Sequence, residues 1–144
     1  MILFINTSKI DLIQIKLIKN NKVIVQLESQ EGFKQSELLL SIIDEILKRK
    51  RLKTEDLRLI AVVSGPGAFS ALRLGVTTAN TLAWSLGVPI IELNAAEGDS
   101  DEKLIQILKI KMQKIGFKKQ KFIPVIPKYG KEPNITKAKN QLIN

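Results

Sequence analysis

Residues 64–86 read SGPGAFSALRLGVTTANTLAWSL, and the fold is decided by how the chain enters and leaves this stretch. It is preceded at 59–63 by LIAVV, a short continuous apolar run of the kind that fills a buried strand. Two glycines and a proline then make a tight exit from that strand into a long segment built for helix. Gly87 ends the helix, and 88–93 gives the next short strand, with Pro89 at its start. The turn itself admits two readings. Unpaired amides at a helix start, together with the helix dipole, attract phosphate, which makes Ser64, Gly65 and Gly67 candidates for a phosphate loop. A Gly-Pro-Gly turn also simply reverses a chain, and no Gly-Lys-Ser/Thr follows to make a P-loop.

Working outward, residues 2–6 (ILFIN) form a second continuous apolar run closed by Thr7 and Ser8, as expected of a central strand that ends in a polar turn. The segment 11–18 (DLIQIKLI) alternates around Ile13, Ile15 and Leu17, and 22–28 (KVIVQLE) around Val23, Val25 and Leu27. Asn20 and Asn21 lie between, which is a β-hairpin signal. From Ser36 to about Lys50 the period becomes helical through Leu39, Ile42, Ile43, Ile46 and Leu47, with Ser36 as the expected N-cap and basic residues at the end. Strand, hairpin, helix, strand, helix, strand is the order of an α/β domain with a mixed sheet and packed helices, as in the ribonuclease H-like and actin-like ATPase (ASKHA) superfamilies. The polar break NAAEGDSDE at 94–102 marks the expected boundary between a 1–100 domain and a basic segment 101–144. Within that segment, 103–115 permits either helix or strand. A short strand is expected near 122–126, followed by an irregular tail.

Composition narrows the chemistry. The chain has 144 residues, 44% of them hydrophobic, enough for one sizeable core. It contains neither cysteine nor histidine, which excludes disulfides, thiolate or imidazole metal sites and Ser/His/Asp catalysis, and leaves carboxylates, lysines and hydroxyls. Lys9, Asp11, Lys16 and Lys19 interrupt the apolar N-terminus, so neither a membrane span nor a signal peptide is expected, and a cytoplasmic protein is. Residues 1–102 carry a net charge of −1, whereas 103–144 carry +10. A lysine-rich end of this kind is either a solvated terminus or an attractor of RNA phosphates or an acidic partner.

Inside the 64–86 segment, Ala71, Gly75, Ala79 and Ala83 recur every four residues as a stripe of small side chains that lets another backbone approach closely. That backbone belongs either to this chain or to a partner. Arg73, read as lying in the first helical turn, is unfavourable with the dipole there, which suggests a specific carboxylate or partner contact.

The segment GPGAFSALRLGVTTANTLAWSLGVPII, the opening LFINTS and the helix QSELLLSIIDEIL together resemble the TsaB (YeaZ) family over residues 1–93. The closing IPKYG is similar to that family's final Pro-x-Tyr segment. The resemblance implies a non-catalytic scaffold subunit of the machinery that installs threonylcarbamoyl on a tRNA adenosine, with most of the second actin-like half absent. It implies docking of a catalytic TsaD-like paralogue on the two N-terminal helices, with Leu39, Ile43, Ala71, Leu72, Arg73, Gly75, Thr78 and Ala79 lining the contact. A TsaE-like ATPase and tRNA would join that complex, and ATP or ADP would belong to the complex rather than to this chain. The stripe of small residues could also self-associate, so a homodimer is expected of the isolated chain. Three positions depart from the family pattern: Asn6 stands for an aspartate, Gln35 for a histidine and Ala71 for a glycine. A metallopeptidase, a TsaD-like transferase or a ribonuclease H-like nuclease would lack its ligands here. An RNA-binding or homodimeric adaptor using the lysine-rich tail is the alternative.

Overall fold

A computed structural model describes residues 1–31, 34–116 and 121–130. Five strands, β1 (Ile2–Asn6), β2 (Ile13–Lys19), β3 (Lys22–Ser29), β4 (Leu59–Gly65) and β5 (Ile90–Asn94), form one sheet in the order β3-β2-β1-β4-β5. The β1-β2-β3 pairs are antiparallel and the β1-β4-β5 pairs parallel. Asn20 and Asn21 both adopt positive φ, 50° and 59°, the backbone that a two-residue hairpin turn needs to match strand twist.

Helices α1 (Gln35–Arg49) and α2 (Phe69–Leu86) cover one face of the sheet, and α3 (Asp101–Ile115) covers the other. The α1/α2 layer packs Leu39, Ile43, Ile46, Val76, Ala79 and Ala83 on Leu3, Ile5, Ile15, Leu17, Ile60 and Val62. The α3 layer packs Leu104 and Leu108 on Phe4, Ala61, Val63, Ile91 and Leu93. Burial on both faces is why β1 and β4 read as unbroken apolar runs rather than alternating ones. Lys16 is the charged exception in the sheet: 3% exposed on the α3 side, it pairs with Asp101 at 2.6 Å and lies 5.6 Å from the Phe4 ring centroid.

Several expectations are corrected. Helix α1 begins at Gln35, not Ser36, and Lys34 at the N-cap makes no side-chain cap bond. Its start is held instead by the buried Gln35 amide, which donates to the Lys9 and Leu12 carbonyls at 2.9 and 3.0 Å. The ambiguous 103–115 segment is helix, started by the Ser100 hydroxyl, which accepts from the Lys103 N–H. No strand forms at 122–126. Residues 121–130 run as an extended strap in which Phe122 and Val125 face the α1/α2 core while Ile123 and Ile126 stay exposed. Pro124 and Pro127 and this three-residue period suit an extended polyproline-like course without ladder bonds. The lysine-rich tail beyond Gly130 lies outside the described residues.

Residues past 100 thus contribute to the core through Leu104 and Leu108. Leu104→Ala is expected to cost about 2–4 kcal/mol, since a fully buried leucine is removed from a packed sheet face, and urea unfolding followed by circular dichroism checks it.

Candidate functional site

In parallel strands the loops that can hold a ligand gather at the carboxyl ends, and here β1, β4 and β5 bring Asn6–Ser8, the 64–67 loop and Asn94 to one edge. The first two loops are locked together. The Asn6 side-chain oxygen accepts the Ser8 N–H at 3.0 Å, the Ala68 N–H donates to the Ser8 carbonyl at 2.9 Å, and the Thr7 hydroxyl donates to the Ala71 carbonyl at 2.6 Å. A Cβ on Gly67 would collide with the Ser8 carbonyl oxygen, and one on Gly75 with the Thr7 hydroxyl.

This geometry corrects the expected partner face. Leu39, Ile43, Ala71, Leu72, Gly75 and Ala79 are all buried in this chain's own core, so none of them can line a contact with another protein. The stripe of small residues exists because α2 lies close against Thr7 and the sheet. Of the expected set, Arg73 is exposed and Thr78 half-buried. Helix α2 starts at Phe69, so Arg73 falls in its second turn, and among the described residues it makes no ion pair.

The candidate phosphate residues are engaged differently. Ser64 is buried, and its hydroxyl donates to the Glu92 carboxylate at 2.7 Å. Gly65, at φ 141°, lies beneath the strap, where any Cβ would strike the Lys128 carbonyl oxygen. Gly67 remains exposed. A carboxylate bonded to Ser64 opposes an anion at that hydroxyl.

What sequence reading did not find is the polar cluster beside this loop. Ser64, Glu92, Asn94, Glu97, Lys111 and Lys128 line a small cleft. Lys128 pairs with Glu92 at 2.6 Å, and Lys111 donates to Glu97 at 2.9 Å and to the Glu92 carbonyl at 2.7 Å. Asn94 and Glu97 exchange side-chain-to-backbone bonds of 2.8 and 3.0 Å around the turn that follows β5. Burial pushes the Glu92 carboxyl up, but hydrogen bonds from Lys128 and Ser64 and the charges of both lysines outweigh it and hold the group below its ordinary value. Glu97 is likewise raised by burial and then brought below its ordinary value by the Asn94 N–H and Lys111. The strap that delivers Lys128 is fixed by Asn80, whose amide donates to the Val125 carbonyl at 2.8 Å and accepts its N–H at 2.9 Å. The Lys128 N–H donates to the Ser64 carbonyl at 2.7 Å, and Tyr129 stacks on Phe69 with centroids 4.2 Å apart. No pattern in the chain links 64, 80, 92 and 128, so only the tertiary structure reveals the cluster.

Residues 32–108, more than half of the chain, match the family model described as TsaD: tRNA N6-adenosine threonylcarbamoyltransferase. The chain belongs to this family. Among TsaD-family relatives it is 34% identical over 96 residues to the tRNA threonylcarbamoyladenosine biosynthesis protein TsaB of Bacillus subtilis, covering 67% of this chain and 42% of that protein. It is 34% identical over 76 residues to the tRNA N6-adenosine threonylcarbamoyltransferase of Bordetella avium, covering 53% of this chain and 21% of that one. The solved structure of YeaZ from Pseudomonas aeruginosa superposes with a TM-score of 0.61 at 20% identity, over 65% of this chain and 43% of that one. The resemblance to TsaB and the actin-like mixed α/β fold read from the sequence are therefore borne out. The chain spans less than half the length of these relatives.

Two outcomes follow from the site. Gly75→Ala is expected to destabilise by about 2 kcal/mol, overpacking outweighing the roughly 1 kcal/mol gained in helix propensity. Thr7→Ala should recover part of that loss in the double variant, and denaturant unfolding of the cycle tests it. Because Glu92 and Glu97 titrate below their ordinary value of 4.5 when folded, their stabilisation is present above that value and lost as pH falls through the lowered folded values. Glu92→Gln should accordingly flatten the acid limb of a stability-against-pH curve measured by urea unfolding.

Proposed function

We propose that this chain serves tRNA adenosine threonylcarbamoylation as a non-catalytic subunit that binds a catalytic TsaD-type paralogue. Membership of the TsaD family and similarity to a protein named for threonylcarbamoyladenosine biosynthesis support the process. The subunit role is supported by side-chain chemistry. The chain has no histidine to hold a metal, and at the carboxyl end of β1, where a carboxylate would bind a cation, stands Asn6 turned back on the Ser8 N–H.

The observation that carries the binding mode is the outward face of the paired helices α1 and α2. There Leu40 is 61% exposed, and Ser41, Arg73, Thr77 and Thr81 are exposed alongside it. The exposed side of α1 also carries Glu37, Asp44, Glu45, Lys48 and Arg49, the last four ion-paired within the helix, so the uncharged Leu40, Ser41, Thr77 and Thr81 are the side chains suited to helix-on-helix packing. A TsaE-type ATPase and tRNA would join through the catalytic partner. Without that partner, the same face would pair two copies of this chain.

Mixing the chain with its cognate TsaD-type paralogue should give a complex in analytical ultracentrifugation. Leu40→Glu and Thr77→Arg are each expected to weaken it by about tenfold or more, whereas Lys103→Glu on the opposite side of the sheet should leave it unchanged. Absence of any complex with the unaltered chain would sink the subunit reading.

A further inference from the structure

At the end of the sheet opposite the glycine loops lies a second concave surface, far larger than the polar cleft. It is about 1560 Å³ in volume and is formed by the amino-terminal ends of β1, β4 and β5, the β2-β3 turn, the last turns of α2 and α3, and the start of the strap. Its walls are mainly aliphatic, and three large apolar side chains project at its edges: Trp84 is 70% exposed, Ile123 75% and Met112 43%. A cluster of exposed apolar side chains of this size marks a contact surface rather than ordinary surface scatter.

The rim carries the second observation. Lys19 from the hairpin, Arg58 before β4, Lys109 from α3 and Lys121 from the strap all line the groove, and no carboxylate does so among the described residues. Four separate parts of the fold thus deliver a cation to one apolar trough. Low-dielectric walls beneath like charges focus a positive potential into the groove.

We propose that this groove docks an acidic amphipathic protein segment, its apolar side chains against Trp84, Met112 and Ile123 and its carboxylates against the four cations. Trp and Arg are the residues that most often anchor such contacts. A second copy of this chain presenting the same groove is disfavoured as occupant, because it would set the four rim cations against their own counterparts. Single-stranded nucleic acid is disfavoured by the lining, because base stacking needs successive aromatic platforms, and Trp84 and Phe122 are the aromatic side chains among the described lining residues.

Trp84 is the sole tryptophan of the chain and reports on the groove directly. The probe is a synthetic peptide with leucines at helical spacing on one face and glutamates on the other. It is expected to shift Trp84 emission to shorter wavelength in a saturable way, with affinity falling as salt rises. Lys109→Glu and Arg58→Glu should each weaken binding by about tenfold, and Lys48→Glu on the exposed side of α1 should not change it. Three outcomes overturn the proposal: no emission change at millimolar peptide, equal binding of the same peptide with lysines in place of glutamates, or tighter binding of a single-stranded oligonucleotide than of the acidic peptide.

Discussion

The architecture depends on how closely α2 approaches the end of β1. Thr7 donates to the Ala71 carbonyl while its side chain fills the space above Gly75, and Gly67 sits against the Ser8 carbonyl. Each contact needs a residue without a Cβ, because the opposing atom is backbone or a hydroxyl already bonded. This approach sets how deep α2 lies on the sheet, and so which of its faces is core and which is surface. Ala79 and Ala83 are small for the same reason, since a helix seated this low leaves no room for longer side chains.

That seating also explains the division of labour between the two ends of the sheet. At the carboxyl ends, loops are tied to one another and then roofed by the strap, whose Lys128 meets both the Ser64 carbonyl and the Glu92 carboxylate. Polar groups there are matched to each other, and the acids are stabilised as anions by lysines of the same chain. At the amino-terminal ends the cations have no such partners among the groove's described lining residues. One end is electrostatically satisfied from within, and the other presents unbalanced charge to its surroundings.

Much of the fold was legible because burial leaves a local mark. Unbroken runs at 2–6 and 59–63 announced strands covered on both faces, two asparagines announced the hairpin, and Gly87 announced the end of α2, where it takes φ 64°. The helical stripe at 71, 75, 79 and 83 was legible as a close-approach surface, but not whose backbone it admits, because spacing on one helix does not say which element lies opposite. The same limit explains why Ser36 looked like a cap: the true anchor, Gln35, bonds to carbonyls more than twenty residues away. The polar cluster was invisible for a related reason, as its members come from β4, β5, α3 and the strap and share no period.

The buried Lys16 has a consequence of its own. An ammonium sealed beneath α3 must keep Asp101 within reach, since a lone interior charge costs far more than a paired one. Positions 16 and 101 are therefore coupled unequally: loss of the aspartate alone strands a buried cation, whereas loss of the lysine alone leaves a half-exposed anion that the helix start still favours. Replacing both at once with apolar side chains of similar volume would be the easier route for a drifting lineage, and such a lineage would carry a third layer held by shape instead of by sign.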